Sequence, residues 1–205
     1  MTAAMTYDSL VNDITSYAER DDAPFTDQIP SFIAMAENRI AMEARGLGFL
    51  RVVSTTLNGA SLVKPIRWRE TKSFAVTVSG SLVFLQARSY QYCRAFNPAA
   101  ATGISRYYSD ADYEHWFIAP TPASNYAAEI QYHERPEPLS SAQQTSWTTQ
   151  YAPQLLLYAT LLECQPFLKL PERIPEFEKF YDRALMMLTN EDERRQRPDA
   201  AAVRA

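Results

Sequence analysis

Few side chains in this sequence stand at spacings that a chemical step requires. The two histidines, His115 and His133, lie on neighbouring predicted strands, and with Asp110, Asp112 or Glu114 they make a donor set that zinc accepts. No HExxH pattern connects them, so both read as ordinary residues of a half-exposed sheet. Asp110, Asp112, Glu114, Glu129 and Glu134 offer the carboxyl pair that a glycosidase needs. One member of such a pair must be desolvated into an acid, and among 24 acidic residues nothing marks which. Cys164 lies in an apolar run where a thiol packs as core, and it and Cys93 read as reduced and buried. Five glycines, none grouped as a phosphate loop, argue against nucleotide chemistry of that kind. Trp68, Tyr107, Tyr108, Tyr113 and Trp116 supply aromatic surface for a partner or for the sheet's own core. Neither a cofactor nor a metal is expected.

The elements that would carry these residues follow from composition and period. At 205 residues, 46% hydrophobic and 21% charged, the chain can bury a sizeable core. A net charge of -4 argues against a surface built to grip DNA, which rests on neutralising phosphates with Lys and Arg. No apolar run approaches a membrane span, and the start MTAAMTYDSL lacks a secretory pattern, so synthesis in the cytoplasm is expected.

Thr6 is a good N-cap, and Tyr7, Leu10, Val11, Ile14 and Tyr17 follow at helical spacing until about Arg20. After the loop DDAPF, a second helix is predicted over 27–45, with Pro30 in its first turn and Gly46 as its stop. Between Phe49 and Leu139 the period becomes alternating. Asn58-Gly59 is the strongest hairpin signal, and Ser79-Gly80 a weaker one. Tyr92, Cys93 and Phe96 fit a short helix ending at Asn97-Pro98. Three strands follow, ISRYYS, YEHWFIA and YAAEIQYHE. The last sets Tyr126, Ala128, Ile130 and Tyr132 on one face and Glu129, Gln131 and His133 on a wet one.

The stretch 147–197 reads as two long helices folded back as a hairpin. In LLLYATLLECQPFL the leucines run round more than one side of the cylinder, so more than one partner must cover it. Leu156, Leu157, Tyr158 and Leu161 are the residues expected to meet neighbouring copies. The second helix, RIPEFEKFYDRALMML, has one dry stripe through Ile174, Phe177, Phe180, Tyr181, Leu185 and Leu188. After Leu188 the stripe ends, and a flexible tail is expected over 191–205, with Arg194, Arg195 and Arg197 clustered before Pro198. The fold class expected is therefore α+β: one domain, with a helical bundle from 1–48 and 140–197 and a mainly antiparallel β insertion over 49–139.

Four stretches carry a resemblance: YAERDDAPFTDQIPSFIAMAENRIAMEAR, HWFIAPTPASNYAAEIQYHERPEPLS, LLLYATLLECQPFLK and RIPEFEKFYDRALMML. In this order they resemble the head-to-tail adaptor, or connector, proteins of short-tailed bacteriophages, the group that includes tail tubular protein A. The region 51–96 matches least. The resemblance implies a virion structural protein at the head-tail junction, made in the host cytoplasm and assembled as a homomeric, dodecameric ring. Such a ring docks on the portal protein after packaging, completes the channel through which DNA passes without specific binding, and meets a tail or nozzle protein. It also implies docking through the C-terminal segment, here with Arg194, Arg195, Arg197 and Arg204. The alternatives are a virion-associated cell-wall hydrolase using Asp112, Glu114 or Glu129, and a cytoplasmic helical regulator.

Overall fold

The computed structural model describes residues 4–44 and 46–196. The chain divides into two compact units, Met1–Phe49 with Pro136–Ala205, and Leu50–Arg135. The first is helical and the second β-rich, the α+β class that the patterning predicts.

In the first unit, α1 (Tyr7–Ala18) opens on a reciprocal cap. The Ser9 N–H donates to the Thr6 hydroxyl at 3.2 Å and the Thr6 N–H to the Ser9 hydroxyl at 2.9 Å. Within the expected loop DDAPF lies a one-turn helix, α2 (Ala23–Thr26), which buries Phe25. Pro30 then sits in the first turn of α3 (Ile29–Glu43).

The second unit comprises β1 (Leu50–Leu57), β2 (Ser61–Val63), β3 (Trp68–Val78), β4 (Ser81–Phe84), β5 (Gln86–Ala87), α4 (Tyr90–Phe96), β6 (Thr102–Gly103), β7 (Tyr107–Asp110), β8 (His115–Ala119), β9 (Thr121–Pro122) and β10 (Tyr126–Glu134). Two four-stranded sheets form, ordered β1-β10-β3-β4 and β2-β8-β7-β5, with β6 and β9 as a small parallel pair. Leu57, Phe74, Val76, Trp116, Ile118 and Ile130 come from both sheets and join in one core. An indole can only donate, and the Thr71 hydroxyl accepts from both Trp68 and Trp116, at 3.1 and 3.0 Å.

Three expectations fail in this unit. Asn58-Gly59 closes no hairpin: β1 pairs with β10 and β2 with β8, so the chain changes sheet there. Neither residue takes a positive φ, whereas Ser79 (φ 51°) and Gly80 (φ 80°) both do, and theirs is the true β3–β4 turn. The strands of His115 and His133, expected as neighbours, belong to different sheets. The wet face of β10 ends early, since His133 is buried beside buried Tyr132. Register shifts against β3 on either side of Tyr132–His133 break the two-residue alternation at that point.

The chain returns to the first unit through α5 (Trp147–Tyr151), α6 (Pro153–Leu168) and α7 (Ile174–Gln196). Because α6 is apolar round its circumference, α1, α3, α5 and α7 of its own chain all pack on it. Phe167 closes an aromatic triad with Phe25 and Phe32 at 6.1 and 5.7 Å. Two buried side chains bond back to the preceding turn of the helix: the Thr160 hydroxyl donates to the Leu156 carbonyl at 2.8 Å and Gln165 Nε2 to the Leu161 carbonyl at 2.9 Å.

The tail expected from residue 191 is helical as far as Gln196, and the rest of it lies outside the described residues. Asp192 is buried on the Gly46 backbone, where a Cβ on Gly46 would lie 1.8 Å from Asp192 Oδ2. Gly46 therefore does more than stop α3. Its missing side chain lets the end of α7 approach.

Candidate functional site

The residues that could do chemistry are used to hold loops. Asp112 Oδ1 accepts the N–H groups of Glu114 and His115, each at 2.7 Å, and these bonds with the His115 ring at 3.0 Å hold its carboxyl below the usual range. A carboxylate kept ionised in this way caps the β7–β8 turn and has no proton to give near neutrality. Asp110 Oδ1 lies 2.7 Å from Lys64 Nζ, which also donates to the Asp112 carbonyl at 2.8 Å and sits 3.7 Å above the Trp68 ring. Glu134 is bridged by Arg51 and Arg67, each at 3.0 Å, and Glu129 is exposed on β10. Asp110, Asp112 and Glu129 are exposed and Glu134 is held by two arginines, whereas the acid of a glycosidase sits in an apolar site. Among the described residues no group of three His, Cys, Asp or Glu could hold a metal ion.

Both cysteines are free and buried, as expected. Burial, with Glu163 adding to it, pushes the Cys164 thiol up to about 12, and burial raises Cys93 as well, so neither is a nucleophilic thiolate near neutrality.

One titrating group escaped the sequence reading. Burial pushes Glu37 of α3 up to about 7, against the opposing effect of the Leu139 N–H, which donates to its two oxygens at 3.3 and 3.2 Å. That bond pins the connection between β10 and α5 onto α3. The signal was present in the pattern: Glu37 stands four residues after Ile33 and three before Ile40, on the inward face of its helix.

The expected interface on α6 is corrected by the structure. Leu156, Leu157 and Leu161 are 0%, 9% and 1% exposed within the single chain, and half-buried Tyr158 stacks on Phe180 at 5.1 Å. A helix apolar all round does need several partners, but four of its own chain's helices supply them. A neighbouring copy could reach these leucines only by opening the core.

Arg194 and Arg195 lie exposed on the last described turn of α7, where Arg195 pairs with Glu191. Arg194 borders a groove of about 660 Å³ with Tyr151, Pro153, Met187 and Leu188. Arg197 and Arg204 lie outside the described residues. No described helix is long and apolar enough to cross a membrane.

The helical unit satisfies its own core, and the polar groups of the β-rich unit brace its loops. The family model described as SU10 adaptor protein matches residues 5–204, and the chain belongs to that family. No curated protein matches it. The resemblance to phage head-to-tail adaptors is borne out at that level: this is a virion structural adaptor of bacteriophage type.

Proposed function

We propose that this adaptor assembles as a homomeric, dodecameric ring at the head-tail junction. The ring docks on the portal protein after packaging, completes the DNA channel and joins it to a tail or nozzle protein. The observation that carries this is the family match across nearly the whole chain. A net charge of -4 supports it, since a net acidic protein around a channel leaves the duplex free to slide. The same like charge weakens pairing of isolated copies until a portal gathers them.

Arg194 and Arg195, exposed at the end of α7, lead into the segment holding Arg197 and Arg204, and together they form the portal-docking element. Arginine suits this role because its planar fork binds carboxylates in pairs. The test is portal capture by three proteins: the full chain, a chain ending at Gln196, and that shorter chain with Arg194→Ser and Arg195→Ser. Truncating at 191 would be a poorer test, since it would also remove buried Asp192. Stepwise loss of capture is expected, and unchanged capture by the last protein contradicts the assignment.

A further inference from the structure

Once α6 is occupied by its own chain, a neighbouring copy must be held by other surface. From Thr71 to Ser109 the chain has no Asp or Glu, and Lys72, Arg88, Arg94 and Arg106 all fall there, although the protein is net acidic. Three of these cations converge on α4. Arg88 lies over the rings of Tyr92 and Tyr107 at 5.7 and 5.8 Å, Arg94 over Phe117 at 5.5 Å, and Arg106 immediately precedes Tyr107 at the start of β7. All three arginines are exposed, and among the described residues none reaches a carboxylate. Around them Tyr90, Tyr92 and Phe96 remain 45%, 43% and 43% exposed.

This face could attract nucleic acid or protein, and its geometry favours protein. Bases need open ring faces to stack upon. Here guanidinium groups lie over several of the rings, Tyr92 stacks on Phe96 at 6.3 Å, and Tyr107 meets Phe96 edge-on at 4.8 Å. Arginine and tyrosine held in place by mutual packing are what anchors a protein contact.

A complement lies on the same chain. Between Asp8 and Asp27, Asp8, Asp13, Glu19, Asp21, Asp22 and Asp27 share a single cation, Arg20, which Asp22 already engages. Asp8, Glu19, Asp21 and Asp27 are exposed, and among the described residues none of the four forms an ion pair.

We propose that the arginine–aromatic face of α4 on one copy docks against the acidic edge of α1 and α2 on a second copy. This rests on the ring reading and supplies its contact. The two surfaces differ, so the contact is head-to-tail, and repeated with a suitable rotation it closes. Charge complementarity decides which face meets which, and the half-exposed rings provide the apolar anchor. Net repulsion keeps a single pair weak until copies are held side by side.

The test tethers the chain to a surface and measures binding of soluble chain. Wild type should bind at about 50 mM salt and weaken about tenfold or more at about 500 mM. One variant carries Arg88→Glu, Arg94→Glu and Arg106→Glu; the other carries Glu19→Lys, Asp21→Lys and Asp27→Lys. Each should lose about tenfold in binding to itself, and the two mixed should regain it, because the intact acidic edge of the first then meets the intact arginine face of the second. Recovery on mixing also shows that both variants are folded. Absent wild-type binding at low salt, undiminished self-binding by either variant, or no recovery on mixing overturns the proposal. A short DNA duplex is the second probe: DNA binding lost in the arginine variant while chain–chain binding is unchanged also overturns it. The ring is judged separately, from micrographs of chain mixed with portal. Rings formed equally well by both variants alone would sink the contact and leave the ring standing, whereas pair binding without rings would leave the contact and sink the ring.

Discussion

In the helical unit, α6 carries leucines round its whole circumference, yet helices of the same chain cover Leu155, Leu156, Leu161 and Leu162. In the β-rich unit no single stretch is as apolar as α6, but Val63, Ile66, Phe84, Tyr92 and Phe96 are left in solvent after two sheets have closed over Trp116 and Phe74. The most apolar stretch of the chain is thus a well satisfied one. Apolarity in a sequence locates a core, whereas an assembly surface is found in what remains after the core has closed.

The largest expected effect comes from breaking the satisfied side of this contrast. Leu156→Asp puts an unpaired charge among α1, α3, α5 and α7 packing and should cost more than about 4 kcal/mol, seen as loss of cooperative melting of the isolated chain. Were Leu156 a contact to a second copy, the isolated variant would melt as wild type does.

A smaller effect probes a buried polar group of the same unit. The folded chain holds the Glu37 proton up to about pH 7, while an unfolded chain releases it near 4.5. The folded state therefore binds more protons across that window, and the Glu37 contribution is most favourable below 4.5, declines as pH rises to about 7, and is flat above. The decline should be about 3 kcal/mol, read as a falling midpoint in urea melts. Glu37→Gln keeps an acceptor for the Leu139 N–H and should abolish this decline, leaving the variant the more stable protein at pH 8. A wild type whose Glu37-dependent stability rises over that window would contradict the assignment.

The smallest effects sharpen the reading of the β-rich unit. Gly80→Ala forces a side chain into a positive φ and should cost about 1 kcal/mol. Gly59→Ala meets open space without positive φ, and its melt should stay within about 0.5 kcal/mol of wild type. Equal costs at the two sites would restore a turn role to Asn58-Gly59.

What the sequence showed and what it hid divide along the same line. Helices were legible because caps and apolar stripes are local: Thr6, Pro30 and the stripe from Ile174 to Leu188 placed three of them. The Asn58-Gly59 hairpin failed because pairing in a sheet is non-local, and β1 found its partner in distant β10. The α6 interface failed because periodicity shows how much surface must be covered and not which chain covers it. Glu37 went unnoticed among apolar neighbours, and so did Arg88, Arg94 and Arg106, because no motif marks a charge pattern that acquires meaning only when a surface forms.

The most direct test is an electron-microscopy reconstruction of the full chain bound to portal, at a resolution that traces side chains. The account predicts a closed ring in which Leu156 and Leu161 stay inside their own subunit and Arg88 and Arg94 lie within reach of Asp21 or Asp27 of the next copy. Single copies scattered on the portal, or a ring in which a neighbouring subunit covers Leu156 and Leu161, would contradict it.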